Sequence, residues 1–140
     1  MKRKASAQWK GSLKDGSGSF SAESGALSNI PYSFARRFEN EPGTNPEELI
    51  AAAHASCFAM ALSAELGKLG ITPVSLDATA TVTFEKQEAG FTITESHLEV
   101  VGKLSAPDAG KWQQATDAAK KGCPISRVLN TKITLDAKLA

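Results

Sequence analysis

The feature that most restricts the fold of this chain is a long stretch without a charged side chain. Residues 51–64 read AAAHASCFAMALSA, with seven alanines and no Asp, Glu, Lys or Arg. A helix start precedes this stretch, because Asn45 can cap a helix and Pro46 suits its first position. Glu47 and Glu48 then favour the positive end of the helix dipole. The sequence therefore predicts one long apolar helix beginning near Pro46.

This helix is predicted to end at about Leu69, before Gly70. A helix that is apolar on all sides should be buried on all sides, and 140 residues offer little material to surround it. We therefore expect a homodimer in which a second subunit supplies part of the cover. The uncharged run from 49 to 64 has 16 residues, fewer than the ~20 that cross a bilayer, so no membrane span is expected.

The remaining patterns give strands in runs rather than strands alternating with helices. Strands are predicted at 5–13, 19–23, 30–38, 74–85, 91–104 and 131–139, and further helices at 107–121 and 123–130. Within 91–104 the apolar phase shifts between Ile93 and Leu98, which indicates a bulge or a bend. The predicted class is α+β, in a single domain over residues 1–140.

Charge and cysteine usage exclude several classes of function. Sixteen basic and fifteen acidic residues leave a net charge of +1, which gives no reason to expect nucleic acid or an anionic membrane as partner. The basic start is not followed by an apolar segment, so we expect a cytoplasmic protein with reduced cysteines rather than a secreted one. The two cysteines and two histidines lack zinc-site spacing, so neither a metal nor another cofactor is expected.

Cys57 lies in the middle of the apolar helix. By itself it is most simply a small buried hydrophobe. Burial raises the pKa of a thiol, so Cys57 would be inert unless a cation came close enough to stabilise the thiolate. Arg36 and Arg37, on the strand predicted over 30–38, are the candidate cations, and on a strand only one of them can face inward. The alternative for both arginines is a solvated strand face.

Cys123 has a different setting, at the start of a short helix and directly before Pro124. There its sulfur would meet free N–H groups and the positive end of a helix dipole, which favour a thiolate. The alternative is a capping or half-buried side chain. Two cysteines in different electrostatic settings suggest separate roles, one attacking and one resolving.

His54 precedes Cys57 by one helical turn, which permits a Cys–His pair for acyl transfer. No Asn or Asp is placed to orient His54, however, and a histidine among alanines is more often a packed core residue. Glu47 precedes Cys57 by ten residues, which is ~15 Å along a continuous helix and too far for contact. A cluster of Glu47, an arginine and Cys57 thus needs a bridging arginine, a break in the first helical turn, or a second chain.

Two blocks of the sequence carry a family resemblance. The stretch ESGALSNIPYSFARRFENEPGTNPEELIAAAHASCFAMALS, with GCPISRVLNTKITLDAKL downstream, resembles the OsmC/Ohr family of bacterial thiol peroxidases. The resemblance is closest to the osmotically inducible OsmC branch and covers nearly the whole chain. It implies a fold in which antiparallel sheets wrap around long central helices in an intertwined homodimer.

The resemblance also implies a reaction and its residues. The protein would reduce organic hydroperoxides, and hydrogen peroxide more weakly, with Cys57 attacking the O–O bond and Cys123 resolving the sulfenic acid as a disulfide. A dithiol or lipoyl-type reductant would recycle that disulfide. Arg37 would stabilise the thiolate and polarise the peroxide, and Glu47 would hold Arg37.

Further expectations accompany this implied activity. Apolar side chains from Phe34, Phe38, Phe58 or Met60 are the candidates for a wall that accepts an alkyl hydroperoxide. A non-enzymatic alternative is a dimeric redox-sensing or ligand-binding module whose disulfide changes its shape without turnover.

Overall fold

A computed structural model describes all residues, 1–140, as two compact units, residues 1–49 and 50–140. Helices and two separate sheets occur in runs along the chain, so the predicted α+β class is confirmed. The single domain over residues 1–140 stays a prediction.

The unit of residues 1–49 contains a three-stranded antiparallel sheet in the order β1-β2-β3. Its strands are β1 (Ala5–Lys10), β2 (Ser17–Ala22) and β3 (Ile30–Tyr32). The Tyr32 ring packs on the rings of Trp9 and Phe20, with centroids 5.3 and 5.6 Å away. A Cβ on Gly18 would come within 2.6 Å of the Tyr32 ring, so only glycine allows this approach. Apart from Glu47, no residue of this unit is buried.

The strand predicted over 30–38 is wrong beyond Tyr32, because a short helix, α1 (Phe34–Phe38), begins there. The Ser33 hydroxyl caps it by accepting the Arg36 N–H at 3.2 Å. Phe34 and Phe38 stack four residues apart, with ring centroids at 4.8 Å. The polar–apolar alternation that resembles a strand is therefore overridden by the cap and this aromatic pair. Arg36 and Arg37 lie on a helix, and the strand argument about their faces does not apply.

The long helix, α2 (Pro46–Lys68), has the predicted extent. Every fourth residue from His54 to Leu66 is fully buried, namely His54, Phe58, Leu62 and Leu66. The opposite face remains exposed, including Ala52, Ala53, Ser56, Ala64 and Met60, which is 79% exposed. One chain thus covers only one face of α2, and the burial on all sides that its composition predicts is not reached within it.

By length and composition alone, α2 could cross a membrane, which the shorter uncharged run in the sequence did not indicate. Its buried face nevertheless packs into the core of residues 50–140 and carries a histidine that is hydrogen-bonded on both ring nitrogens. These contacts are typical of the core helix of a soluble protein.

The second sheet lies in the unit of residues 50–140 and has the order β4-β5-β6. The antiparallel hairpin of β4 (Pro73–Gln87) and β5 (Gly90–Leu104) contains the predicted bulge, since the register skips Thr94. The last strand, β6 (Lys132–Leu139), runs parallel to β5, so this sheet is mixed rather than purely antiparallel. Parallel neighbours need a crossover, which α3 (Ala109–Gly122) and α4 (Pro124–Val128) supply.

The apolar core of this unit lies between α2, the sheet and α3. Its buried members are Phe58, Leu62, Leu66, Leu98, Val100, Leu104, Trp112, Ala115, Ala119 and Cys123. A Cβ on Gly102 would overlap the Trp112 ring, so the glycine in β5 allows α3 to lie against the sheet. Cys123 is therefore part of the core and lies where the crossover passes from α3 to α4.

Candidate active site

The two cysteines, both free thiols, lie next to each other in the unit of residues 50–140. Cys57 is half-buried on α2, and Cys123 is fully buried. Burial raises the pKa of the Cys57 thiol, and a hydrogen bond with the backbone of Ile125 opposes this. The neighbouring Cys123 raises the pKa of Cys57 further, through a hydrogen bond and through charge. This contact joins positions 66 residues apart in the sequence.

Cys123 is held at the junction of two helices. Its N–H donates to the Ala119 carbonyl at 2.9 Å and closes α3, and its carbonyl accepts the Arg127 N–H at 3.0 Å in the first turn of α4. Pro124 occupies the first position of α4, as predicted. The sequence Gly-Cys-Pro thus ends one helix and starts another, which fixes the backbone of Cys123 beside α2.

His54 lies one turn before Cys57 on α2 and is fully buried. Its Nδ1 is 2.7 Å from the Ser96 hydroxyl on β5, and its Nε2 is 2.8 Å from the Ser126 hydroxyl on α4. Burial lowers the pKa of His54, which favours the neutral imidazole. Because both ring nitrogens are bonded to serines, neither is available to deprotonate Cys57, and this geometry argues against a Cys57–His54 acyl-transfer pair.

Ser96 and Ser126 were not singled out by the sequence. They lie 42 and 72 residues from His54, and no local pattern connects such distant positions. The one available signal was Ser126, which follows Cys123 by three residues in the family-like block.

Arg37 and Glu47 form a forked ion pair in the unit of residues 1–49. Arg37 Nη2 donates to Glu47 Oε1 at 2.7 Å, and Arg37 Nε lies 3.2 and 3.3 Å from the two carboxylate oxygens. The Glu47 side chain is 10% exposed and the Arg37 side chain 35%. The guanidinium also lies 5.3 Å from the centre of the Phe38 ring. A fork of this kind fixes the orientation of the guanidinium as well as its position.

The neighbouring charged residues have other partners. Glu48 accepts the Thr44 hydroxyl at 2.8 Å, and its N–H donates to the Asn45 side chain at 2.8 Å, which confirms Asn45 as the helix cap. Arg36 lies 3.9 Å from Glu41. Of the neighbouring arginines, Arg37 rather than Arg36 binds Glu47, and of the neighbouring glutamates, Glu47 rather than Glu48 binds Arg37.

A cavity of about 220 Å³ lies beside Arg37 in the same unit. Its lining is mostly aromatic and consists of Trp9, Leu13, Tyr32, Ser33, Phe34, Arg37 and Phe38. Phe34 and Phe38 were predicted as lining. Phe58 instead belongs to the core of residues 50–140, and Met60 lies on the exposed face of α2.

The four predicted site residues therefore form two contacts, Arg37 with Glu47 and Cys57 with Cys123. α2 is unbroken from Pro46, so a break in its first turn does not occur. No group of three or more His, Cys, Asp or Glu side chains is placed to hold a metal ion.

Two adjacent thiols, one of them half-buried on a core helix of an α+β fold, define a dithiol protein. Comparison with known proteins specifies the class further, since the family model of OsmC-like proteins matches residues 38–138. The chain is 50% identical to peroxiredoxin OsmC of Escherichia coli over 98% of this chain and 96% of that protein. It is 31% identical to the organic hydroperoxide resistance protein OhrB of Bacillus subtilis, over 72% and 71%.

The chain belongs to the OsmC family, and the resemblance found in the sequence is confirmed. Among solved structures, OhrB of Bacillus subtilis aligns with a TM-score of 0.71 at 26% identity, over 98% of both chains. An OsmC-like protein of unknown function from Vibrio cholerae aligns with a TM-score of 0.78 at 19% identity, over 98% of this chain and 99% of that one. The latter likeness concerns the fold alone.

Proposed function

We propose that this protein is a peroxidase that reduces organic hydroperoxides, and hydrogen peroxide more weakly, with Cys57 and Cys123 as its redox pair. The observation that carries the proposal is the contact between the two free thiols. The relatives named peroxiredoxin and organic hydroperoxide resistance protein support the reaction and its substrate class.

In the first step the Cys57 thiolate attacks the terminal oxygen of the hydroperoxide. The O–O bond breaks, an S–O bond forms, and the alkoxide leaves as the alcohol after taking up a proton. Cys57 becomes a sulfenic acid, oxidised by two electrons. The backbone N–H of Ile125, hydrogen-bonded to Cys57, favours the thiolate that this step requires.

In the second step Cys123 attacks the sulfur of the Cys57 sulfenic acid. A disulfide forms and the sulfenic oxygen leaves as water. The contact between the two thiols supports this step, because a disulfide requires Cα atoms only ~4.4–6.8 Å apart. An external dithiol or lipoyl-type reductant then returns both cysteines to thiols by exchange.

Arg37 stabilises the Cys57 thiolate and polarises the peroxide, and Glu47 orients Arg37. The forked ion pair supports this assignment, because a guanidinium held by two hydrogen bonds keeps a fixed direction. A permanent cation is needed, since burial alone disfavours the Cys57 thiolate. Either a bridging arginine of the same chain or the arginine of a second chain meets this need.

The aromatic cavity beside Arg37 accepts the alkyl group of the substrate. Its walls of Trp9, Tyr32, Phe34 and Phe38 favour cumene and other bulky hydroperoxides over hydrogen peroxide. Replacing Phe34 by Ser should raise KM for cumene hydroperoxide more than for hydrogen peroxide. An equal rise for both would assign the cavity no part in specificity.

The working form is a homodimer. The exposed apolar face of α2 supports this. A groove between that face and β4 also supports it, and its lining consists of Ala52, Ala55, Ser56, Ala59, Leu76, Asp77, Ala78 and Thr79. The cytoplasm is the location that suits the reaction, because the disulfide must be reduced again in every cycle.

The deciding experiment is turnover of cumene hydroperoxide with a dithiol reductant by the wild type, Cys57→Ser and Cys123→Ser. Intact mass is recorded after one equivalent of peroxide. We expect Cys57→Ser to be inactive and Cys123→Ser to accumulate oxidised Cys57 without the internal disulfide.

A wild type that forms the disulfide but does not turn over would support the redox-sensing module instead. If Cys123→Ser still consumed peroxide and needed no dithiol reductant, the two-cysteine mechanism would be wrong. Mixed dimers test which chain supplies the arginine. One subunit carries both Cys57→Ser and Cys123→Ser, and the other carries Arg37→Met. Recovered activity assigns Arg37 to the partner's cysteine, and no recovery assigns it to its own chain.

A further inference from the structure

The most polar site in the core of residues 50–140 is the cluster of His54, Ser96 and Ser126. All three side chains are buried, with relative exposures of 0, 0 and 8%. Buried polar groups cost free energy unless they are hydrogen-bonded, and here the imidazole bonds to both hydroxyls. A neutral imidazole has one N–H and one acceptor nitrogen, so one serine accepts from the ring and the other donates to it.

The three residues come from three different elements. His54 lies on α2, Ser96 on the central strand β5, and Ser126 on the short helix α4. Since β5 holds the ring from one side, the ring nitrogen that faces α4 has a fixed direction. The bond to Ser126 therefore ties α4 to α2 at a defined position.

A second link joins the same two elements one helical turn away. The backbone of Ile125, the neighbour of Ser126, hydrogen-bonds to Cys57. On α2 the two attachment points are His54 and Cys57. On α4 they are the consecutive residues Ser126 and Ile125. The segment that begins with Cys123 is thus fastened to the Cys57 helix at two adjacent points, only one of which involves sulfur.

We propose that His54 is a positioning residue that holds the Cys123–Ser126 segment against α2, so that the Cys123 sulfur can reach Cys57. The inference rests on the proposed function, and it assigns the buried histidine to the second step rather than to the attack on peroxide. The first step does not use the Cys123 sulfur, whereas disulfide formation needs that sulfur within bonding distance of Cys57. A displacement of ~1 Å lowers the rate of such a step by about 100-fold.

The critical variant is Ser126→Ala, which removes the hydroxyl facing His54 and leaves both cysteines and His54 unchanged. We expect formation of the Cys57–Cys123 disulfide after one equivalent of peroxide to slow by at least tenfold. The rate of peroxide consumption in that single turnover should fall less than the rate of disulfide formation, because the attack uses the Ile125 N–H of this segment but not the Cys123 sulfur. At rising peroxide the long-lived sulfenic acid should be oxidised further to the sulfinic acid, seen as a mass increase.

Thr134→Val is the matched control. It removes the hydroxyl that lies 2.6 Å from His97 Nδ1, the other histidine bonded to a hydroxyl in this sheet. This control should alter thermal stability without altering the rate of disulfide formation. Ser126→Thr, which keeps a hydroxyl, should restore most of the rate that Ser126→Ala loses. If Thr134→Val slowed the disulfide step equally, or Ser126→Ala left it unchanged, the proposal would be overturned.

A measurement without peroxide separates this proposal from the proposed function. Equilibration of each variant with reduced and oxidised glutathione gives the effective concentration of the two thiols toward each other. Ser126→Ala should lower that value at least tenfold against the wild type and Thr134→Val. A wild type that fails to consume peroxide would refute the peroxidase, yet an unchanged effective concentration in Ser126→Ala would refute the positioning role alone.

If Ser126→Ala did not fold, His54→Gln would decide the same question, because both polar atoms of glutamine lie further from the backbone than Nδ1 does and cannot reproduce both contacts of the ring. It should fold with a slowed disulfide step. Wild-type disulfide kinetics in a folded His54→Gln would contradict the role of the histidine.

Discussion

The two compact units of this protein differ in how much they bury. Residues 50–140 contain all ten buried apolar side chains, whereas residues 1–49 bury only Glu47. The cysteine pair lies in residues 50–140, and the Arg37–Glu47 pair lies in residues 1–49. A thiol changes its ionisation with burial, but a guanidinium stays charged in any setting. The difference teaches that the group whose state must be adjusted lies in the core, and the group of constant charge lies near water.

The largest expected effect is on rate and comes from the thinly packed unit. Arg37→Met should lower kcat/KM for cumene hydroperoxide by about 10²–10³-fold, the usual loss when a group that stabilises developing charge is removed. Arg37 is about one third exposed but Glu47 is buried, so the loss of its ion-pair partner should lower the midpoint of urea unfolding modestly. Arg36→Met is the control, since its partner is Glu41. A large loss of stability in Arg37→Met would erase the contrast between the two units.

The next effect is on stability and comes from the core. Leu62→Ala should lower the free energy of unfolding by about 2–5 kcal/mol, because Leu62 is fully buried and leaves a cavity. Leu13→Ala is the comparison in the other unit. Its side chain is 65% exposed, so the change should stay within about 0.5 kcal/mol. Urea titration of both variants measures the difference, and equal losses would contradict the description of residues 1–49 as thinly packed.

A smaller effect is expected from pH. Burial lowers the pKa of His54 in the folded protein below the 6.5 of an unperturbed histidine. Between those two values the unfolded chain binds the proton and the folded one does not, so stability falls as pH decreases. The stability that comes from keeping His54 neutral should be fully present above pH 6.5 and should decline below that pH. This decline should be reduced in His54→Gln and retained in His97→Gln, as measured by urea unfolding at several pH values.

The smallest expected effect concerns Cys57 itself. Burial and Cys123 both raise the pKa of its thiol, with burial as the larger cause. Cys123→Ala should therefore lower the pKa of Cys57 while the contribution of burial remains. The pH dependence of iodoacetamide alkylation, followed by mass, measures it. A higher pKa of Cys57 in Cys123→Ala would mean that Cys123 stabilises the Cys57 thiolate instead.

Much of the fold was predictable where local signals agree. Asn45 and Pro46 mark the start of α2, and the shift of phase in β5 indicates the bulge at Thr94. Local signals failed at α1, where a serine cap and two stacked phenylalanines override a strand-like alternation. The parallel pairing of β6 could not be predicted either, because strand direction in the sheet depends on the path of the crossover.

The site was predictable where the family resemblance covers it, but not where distant elements meet. The family resemblance supplied the pairing of Arg37 with Glu47, which helix spacing alone could not provide. The partners of His54 were missed because they lie on β5 and α4, and only the tertiary fold brings them to α2.

The parallel pairing of β6 with β5 has a consequence for synthesis on the ribosome. Both cysteines precede residues 132–139 in the chain, so they are translated before the strand that completes the sheet. Domains acquire their stable contacts only when the necessary segments have emerged. Until then β5 is paired with β4 alone, and the core that contains Cys123 is incomplete. The enclosure of the two thiols therefore depends on a strand that is translated after both of them.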